Sequence, residues 1–197
     1  VNLCGKPKVS TETKPTNAWV LLSGGVDSTA CVAFYLEQKF CVAGAFVDYS
    51  QAAASCELNA AKAVAQYYRI PLRTFTWSGG AKKGDGEVVG RNAFLALALA
   101  MELGDMAGII AAGIHSGTRY YDCSGSFLSS LQGIIDGYTD GRLRIGAPFL
   151  DWDKRLIWEY CMSHHVPVEL TYSCEKGTLP PCGTCNSCRD LEALRAL

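Results

Sequence analysis

The sequence has no apolar run long enough to cross a bilayer: even Ala93 to Ala100 falls far short of the roughly 20 residues a spanning helix needs. Nor does a charged start lead into an apolar stretch, so the chain is expected to work in the cytoplasm rather than behind a secretion signal. An excess of either charge is also lacking, since 18 Lys and Arg stand against 19 Asp and Glu for a formal net charge of -1. No broad field therefore recommends a nucleic-acid backbone as partner, while a small anionic substrate stays open. Internal repeats and low-complexity segments are absent.

What is present suits one compact domain with a small appendage: 197 residues, 49% of them hydrophobic. The ten cysteines do not read as a disulfide framework, because four crowd into one short segment near the end. Cys4, Cys31, Cys41, Cys56, Cys123 and Cys161 are scattered, most of them in apolar surroundings where a reduced thiol packs as a small hydrophobe.

Residues 1–17 are rich in Lys, Thr, Pro and Asn without an apolar period, and are expected to form a mobile tail. Trp19 to Leu22 then reads as a buried strand entering a glycine turn, followed by a helix from Ser28 to Gln38 and a strand from Val42 to Val47. The pattern repeats with a helix over 53–68, a strand over 72–75, an alanine-rich helix from Arg91 to Leu103 and a strand from Gly108 to Ala112. Further helices are expected over 126–137 and 154–161, separated by a strand-like approach from Arg144 to Phe149. Ser78 to Gly86, with four glycines and two lysines, reads as a loop or lid. Such alternation predicts an α/β domain over 18–165 with helices on both faces of a parallel sheet, and a metal-binding segment over 166–197.

Two motifs carry chemistry. In the first, a strand delivers Ser23-Gly24-Gly25-Val26-Asp27-Ser28 to a helix start. The glycines let backbone amides approach an anion, Ser23, Ser28 and the helix N-terminus add donors, and Asp27 shapes the loop or shares Mg²⁺ with a polyphosphate. The bland reading is a capped glycine turn. The loop lacks both the lysine of a Walker A motif and the third glycine of a dinucleotide fingerprint. In the second, Cys174, Cys182, Cys185 and Cys188 stand as C-x7-C-x2-C-x2-C among Gly and Pro residues that bend the backbone around one tetrahedral ion. Zinc with four protein ligands is structural, having no open position; an iron-sulfur cluster is the rival occupant.

The SGGVDS string resembles the PP-loop of the N-type ATP pyrophosphatases, whose fold is HUP-like. Together with Cys174 and the Cys182-Gly183-Thr184-Cys185-Asn186-Ser187-Cys188-Arg189 string, it resembles the 7-cyano-7-deazaguanine synthase (QueC) family. Gly90-Arg91-Asn92, Tyr121-Asp122-Cys123 and Pro148 with Lys154 match that family's segments in order, so the resemblance spans roughly residues 19–190. It implies an ATP-dependent ligase that adenylates the carboxylate of 7-carboxy-7-deazaguanine and passes it to ammonia, forming amide and then nitrile on the route to queuosine. It further implies ATP at Ser23, Gly24, Gly25, Asp27 and Ser28, and charge stabilisation by Arg91 and Lys154. Asn92, Asp122 and Cys123 would then line the deazaguanine pocket, in an enzyme that forms a homodimer. The family's Asp-Cys-Arg is Asp122-Cys123-Ser124 in this chain, which leaves Arg119 as the replacement cation and keeps other readings open. The activated acyl group could go to another amine, such as one on a protein in antiphage defence, or the loop could serve tRNA modification. His115 stands as a base or ligand contact against a satisfied histidine, and His164 and His165 read as helix-end surface.

Overall fold

The alternation along β1 (Asn17–Leu21) sets the architecture. Ala18, Val20 and Leu22 face one side of the sheet, and Trp19 and Leu21 the other, as the two-residue period of a strand dictates. Both sets are apolar, so both faces must be covered, which is the condition of a parallel sheet. The computed structural model describes residues 16–78, 80, 86–115, 117 and 120–197. Residues 1–15, most of the expected Ser78 to Gly86 loop, and Arg119 lie outside the described residues.

After β1 come α1 (Val26–Glu37), β2 (Cys41–Asp48), α2 (Ala54–Tyr68), β3 (Leu72–Thr76), α3 (Arg91–Leu103) and β4 (Gly108–Ala111). They are followed by α4 (Gly125–Thr139), β5 (Leu143–Gly146), α5 (Lys154–Ser163) and α6 (Asn186–Arg195), with 3₁₀ turns at Tyr121–Cys123 and Val168–Leu170. The strands lie in the order β3-β2-β1-β4-β5 and every pairing is parallel. The parallel α/β sheet expected from the alternation is the fold found.

On one face α1, α2, α5 and the turn after β5 bury Val32, Val64, Ile157 and Phe149 against β1. On the other, α3 and α4 bury Leu99, Leu131 and Ile135 against Ile110 and Leu143. Each such side chain contributes about 1.5–3 kcal/mol. Cys31 and Cys161 are fully buried, and burial pushes the Cys161 thiol up to about 12 and that of Cys31 well above its ordinary value. Neither ionises, so both pack as hydrophobes. Two features differ from the sequence expectation: the last strand is confined to Leu143–Gly146, and α6 rises inside the cysteine-rich segment. No helix among the described residues is long and apolar enough to cross a membrane.

Candidate active site

From β1 the chain winds outward to β2 and β3, then crosses back to place β4 and β5 on the other side of β1. The connections leaving β1 and β4 therefore diverge, and a crevice opens at the C-terminal ends of those two strands. A cleft of about 890 Å³ occupies it, walled by the ends of β1, β2 and β4 and the starts of α1, α3, α5 and α6.

The glycine loop forms its floor. Gly24 has a φ of +82°, and a Cβ there would lie 2.6 Å from the amide nitrogen of Ala61 and 2.7 Å from the carbonyl of Glu57, both on α2. Only glycine lets the loop pass that close to the helix. Gly25 is the N-cap of α1, yet no side chain caps it. The nearby hydroxyls turn to the loop itself: Ser28 Oγ and Thr29 Oγ1 donate to the Gly25 carbonyl at 3.1 and 2.8 Å, and Ser23 Oγ lies 3.2 Å from Ser28 Oγ. First-turn amides have no partner within their own helix. The start of α1 thus presents donors and the positive end of its dipole to the cleft, which suits an anion.

Asp27 is in the first turn of α1, and its half-exposed carboxylate lies 3.6 Å from Nε2 of the buried His115. The Gly117 N–H donates to His115 Nδ1 at 3.1 Å, so Nε2 carries the ring proton and points it at Asp27. Gly113 makes this approach feasible, because a Cβ there would sit 2.7 Å from the Asp27 carbonyl. His115 is therefore a buried partner of the glycine loop, a role that sequence reading left open. Asp27 offers the cleft a carboxylate from within the glycine loop, a donor that fits Mg²⁺.

The opposite wall starts at α3. Asn92 Nδ2 donates to the Asp122 carbonyl at 3.1 Å, and the Asn92 N–H donates to the Asp122 carboxylate at 3.4 Å. Asp122 is itself buried and absent from the cleft lining, whereas Arg91, Asn92 and Cys123 line it. It holds the start of α3 in place. Burial, with the adjacent Asp122 carboxylate, pushes the Cys123 thiol up to about 11. Cys123 thus stays protonated, a hydrogen-bond donor rather than a nucleophile. The Arg91 guanidinium bonds Asn92 Oδ1 at 3.3 Å and also reaches the Tyr49 phenol, whose pKa burial raises against that cation's pull.

Three acidic lining residues escaped sequence reading. Burial raises the Glu57 carboxyl against a 2.8 Å hydrogen bond from Gln51 Nε2, which works to lower it. Asp190, on α6, accepts from the Lys154 ammonium. Glu175 caps α6 by accepting from the Ser187 N–H and hydroxyl at 3.2 and 2.6 Å, and from the Gly86 N–H at 3.2 Å.

The sulfur atoms of Cys174, Cys182, Cys185 and Cys188 all lie within 4.8 Å of one another, with Cys182 and Cys188 at 4.0 Å. A zinc tetrahedron with Zn–S near 2.3 Å has edges of about 3.8 Å, so a single ion fits. Amides support the thiolates: Cys182 N–H donates to Cys174 Sγ at 3.3 Å, and the Thr184 and Cys185 N–H groups donate to Cys182 Sγ at 3.4 and 3.3 Å. Burial works to raise the Cys174 pKa, but the amides of Cys182, Thr178 and Lys176 outweigh it and bring it to about 5. The Thr184 hydroxyl, then the Thr184 and Cys185 amides, lower Cys182 to about 7. The four-cysteine cluster is compatible with structural zinc.

A family model described as "Queuosine biosynthesis protein QueC" matches residues 17–81 and 85–195. The 7-cyano-7-deazaguanine synthase of Prochlorococcus marinus (strain NATL2A) is 31% identical, over 86% of this chain and 88% of its own. A structure described as a "predicted subunit of tRNA methyltransferase" from Methanocaldococcus jannaschii has a TM-score of 0.52 at 16% identity, covering 75% of this chain and 76% of that one. NMN synthetase from Francisella tularensis has a TM-score of 0.50 at 15% identity, covering 82% and 67%. These two likenesses bear on the fold alone, a HUP-like α/β sheet.

Proposed function

The chain belongs to the QueC family, and from that premise we propose that it is an ATP-dependent ligase that adenylates the carboxylate of 7-carboxy-7-deazaguanine and passes the acyl group to ammonia. The observation that carries this reading is the meeting, in one cleft, of the uncapped start of α1 with Lys154, Arg91, Asn92 and Cys123.

The α1 amides, with the Ser23 and Ser28 hydroxyls, hold the ATP phosphates, and Gly24 and Gly25 bring the backbone close enough to do so. Asp27 is the residue to share Mg²⁺, which when bound with the triphosphate neutralises part of its charge. A substrate carboxylate oxygen attacks the α-phosphorus, the bond to the bridging oxygen breaks, and pyrophosphate leaves with the electron pair. Ammonia then adds to the acyl carbon, AMP departs, and loss of a proton leaves the amide. A second ATP adenylates the amide oxygen; loss of the nitrogen-bound protons and of AMP gives the nitrile. Lys154 and Arg91 offset the charge that develops at phosphorus. Asn92 and the Cys123 thiol face the deazaguanine, while Asp122 acts from behind them by fixing Asn92.

Exchange of labelled pyrophosphate into ATP, dependent on added 7-carboxy-7-deazaguanine, tests the first step. Mass spectrometry with ammonia present then looks for amide and nitrile. No exchange with this carboxylate would overturn the reading, and exchange without ammonia-dependent product would assign the acyl group to another amine. Lys154→Ala is expected to lower the exchange kcat about 10²-fold, and an unchanged rate would remove it from the machinery.

A further inference from the structure

Lys154 is the first residue of α5, whose N-cap Asp153 accepts from the Leu156 N–H at 2.9 Å. Its backbone runs beside Gly117, which bonds His115, which in turn faces Asp27 in the phosphate loop. Lys154 therefore lines the same cleft as the loop, but its ammonium finds no partner on α5. The partner comes from α6, 36 residues onward: Asp190 Oδ2. Both side chains line the cleft, and at 31% and 45% side-chain exposure the pair contributes little to folding stability. Its consequence is geometric, since it holds a long flexible side chain in one direction.

The position of Asp190 depends in turn on the cysteine cluster. α6 begins at Asn186, directly after Cys185, and carries Cys188 in its first turn. No α6 residue is buried, and Leu191 and Leu194 are only partly covered by the core. A ten-residue helix is too short to persist alone in water. The cysteines on one side and the Glu175 carboxylate at its first turn therefore fix where α6 lies.

We infer that Asp190 is a positioning residue: carried on the helix that the cysteine cluster anchors, it holds the Lys154 ammonium in the cleft that the start of α1 opens into, and so links metal loading to ATP use. The inference rests on the adenylating reading of the cleft and deepens it. The metal, though remote from the chemistry, would control a cation that takes part in it.

A double-mutant cycle on the zinc-loaded full chain tests this through pyrophosphate exchange. Asp190→Asn is expected to lower kcat about tenfold with little change in the KM for ATP, Asp190→Glu to restore most of the loss, and Asp190→Asn to add nothing on a Lys154→Ala background. Additive losses would mean that Asp190 acts through the fold and not through Lys154, and would overturn the inference. A second readout needs no activity: in spectra of ¹⁵N-labelled lysine, the Lys154 ammonium signal is expected to be protected from exchange in wild type. It should be lost both in Asp190→Asn and after zinc chelation. A signal that persists in either sample overturns the inference whatever becomes of the ligase reading. A wild type with a protected ammonium but no exchange activity would overturn only the ligase reading.

Discussion

Gly24→Ala is expected to lower kcat/KM for ATP by about 10²-fold or more and to cost several degrees of melting temperature. Two effects add. At a φ of +82° any side chain strains the backbone, by about 1–2 kcal/mol. The new Cβ would also meet Ala61 N at 2.6 Å, Glu57 O at 2.7 Å and Ala60 Cβ at 2.8 Å. Two of these atoms are helix backbone and cannot swing aside, so the loop must retreat from α2, an overpacking cost of about 1–3 kcal/mol. For a chain of this size each kcal/mol is worth roughly 2–4 °C, so a fall of about 5–15 °C is expected. A retreat of about 1 Å also misaims the amides at the start of α1, and misplacement on that scale alone costs on the order of 10²-fold. Gly25→Ala is the control. Its φ is -80°, and the nearest atoms to a new Cβ are Ser23 Oγ at 3.5 Å and the Tyr172 carbonyl at 3.8 Å, which is ordinary contact. It should melt within about 2 °C of wild type, given the roughly 0.5 kcal/mol scale of unstrained surface changes. Thermal scans of both variants and pyrophosphate exchange by Gly24→Ala check the argument, and a Gly24→Ala protein that melts and turns over like wild type would sink it.

Local rules explain what sequence reading captured. The glycine loop between β1 and α1, the alternation of strands with helices and the cysteine spacing are all written in neighbouring residues, and the QueC resemblance assembled from them holds across the chain. Features that depend on distant partners were not legible. α6 has two leucines and a row of charged residues, so its apolar signal is weak and the cysteine motif that starts it conceals it. Asp190 looks like any exposed helix aspartate until α6 is laid against α5 and Lys154 comes within reach. Glu57 sits in an alanine-rich helix whose rotation decides whether it faces solvent or cleft, and only the packing of α2 on β2 turns it inward beside Gln51. Asp122 reads as a substrate contact, but the turn at Tyr121–Cys123 buries it against the Asn92 N–H at the start of α3. In each case residue type was informative and direction was not.

Removal of the metal is expected to release α6 while leaving the sheet folded. The two layers of core that hold β1, β2, β4 and β5 draw on α1 to α5, whereas α6 adds no buried residue to either. Cys174 is nearly inaccessible, and amide donors hold its sulfur as a thiolate, so it is the ligand least replaceable by a neutral hydroxyl. Cys174→Ser should therefore fall from about one zinc per chain to almost none, because a tetrahedral site with three thiolates and an un-ionised serine loses most of its affinity. Amide exchange over 174–195 should then approach the unfolded rate, while amides of β1, β2 and β4 keep their protection. Pyrophosphate exchange should drop by about 10² or more, since the cleft loses the wall that carries Glu175, Ser187 and Asp190, the partner of Lys154. Cys56→Ser is the matched control: that half-buried thiol donates to the Gly177 carbonyl at 3.5 Å, close to the cluster but outside its ligand set, and the variant should keep its zinc. Metal analysis and hydrogen exchange read both proteins. Chelation that unfolds the strands together with α6 would show that the cysteine cluster supports the whole domain, not the cleft wall alone.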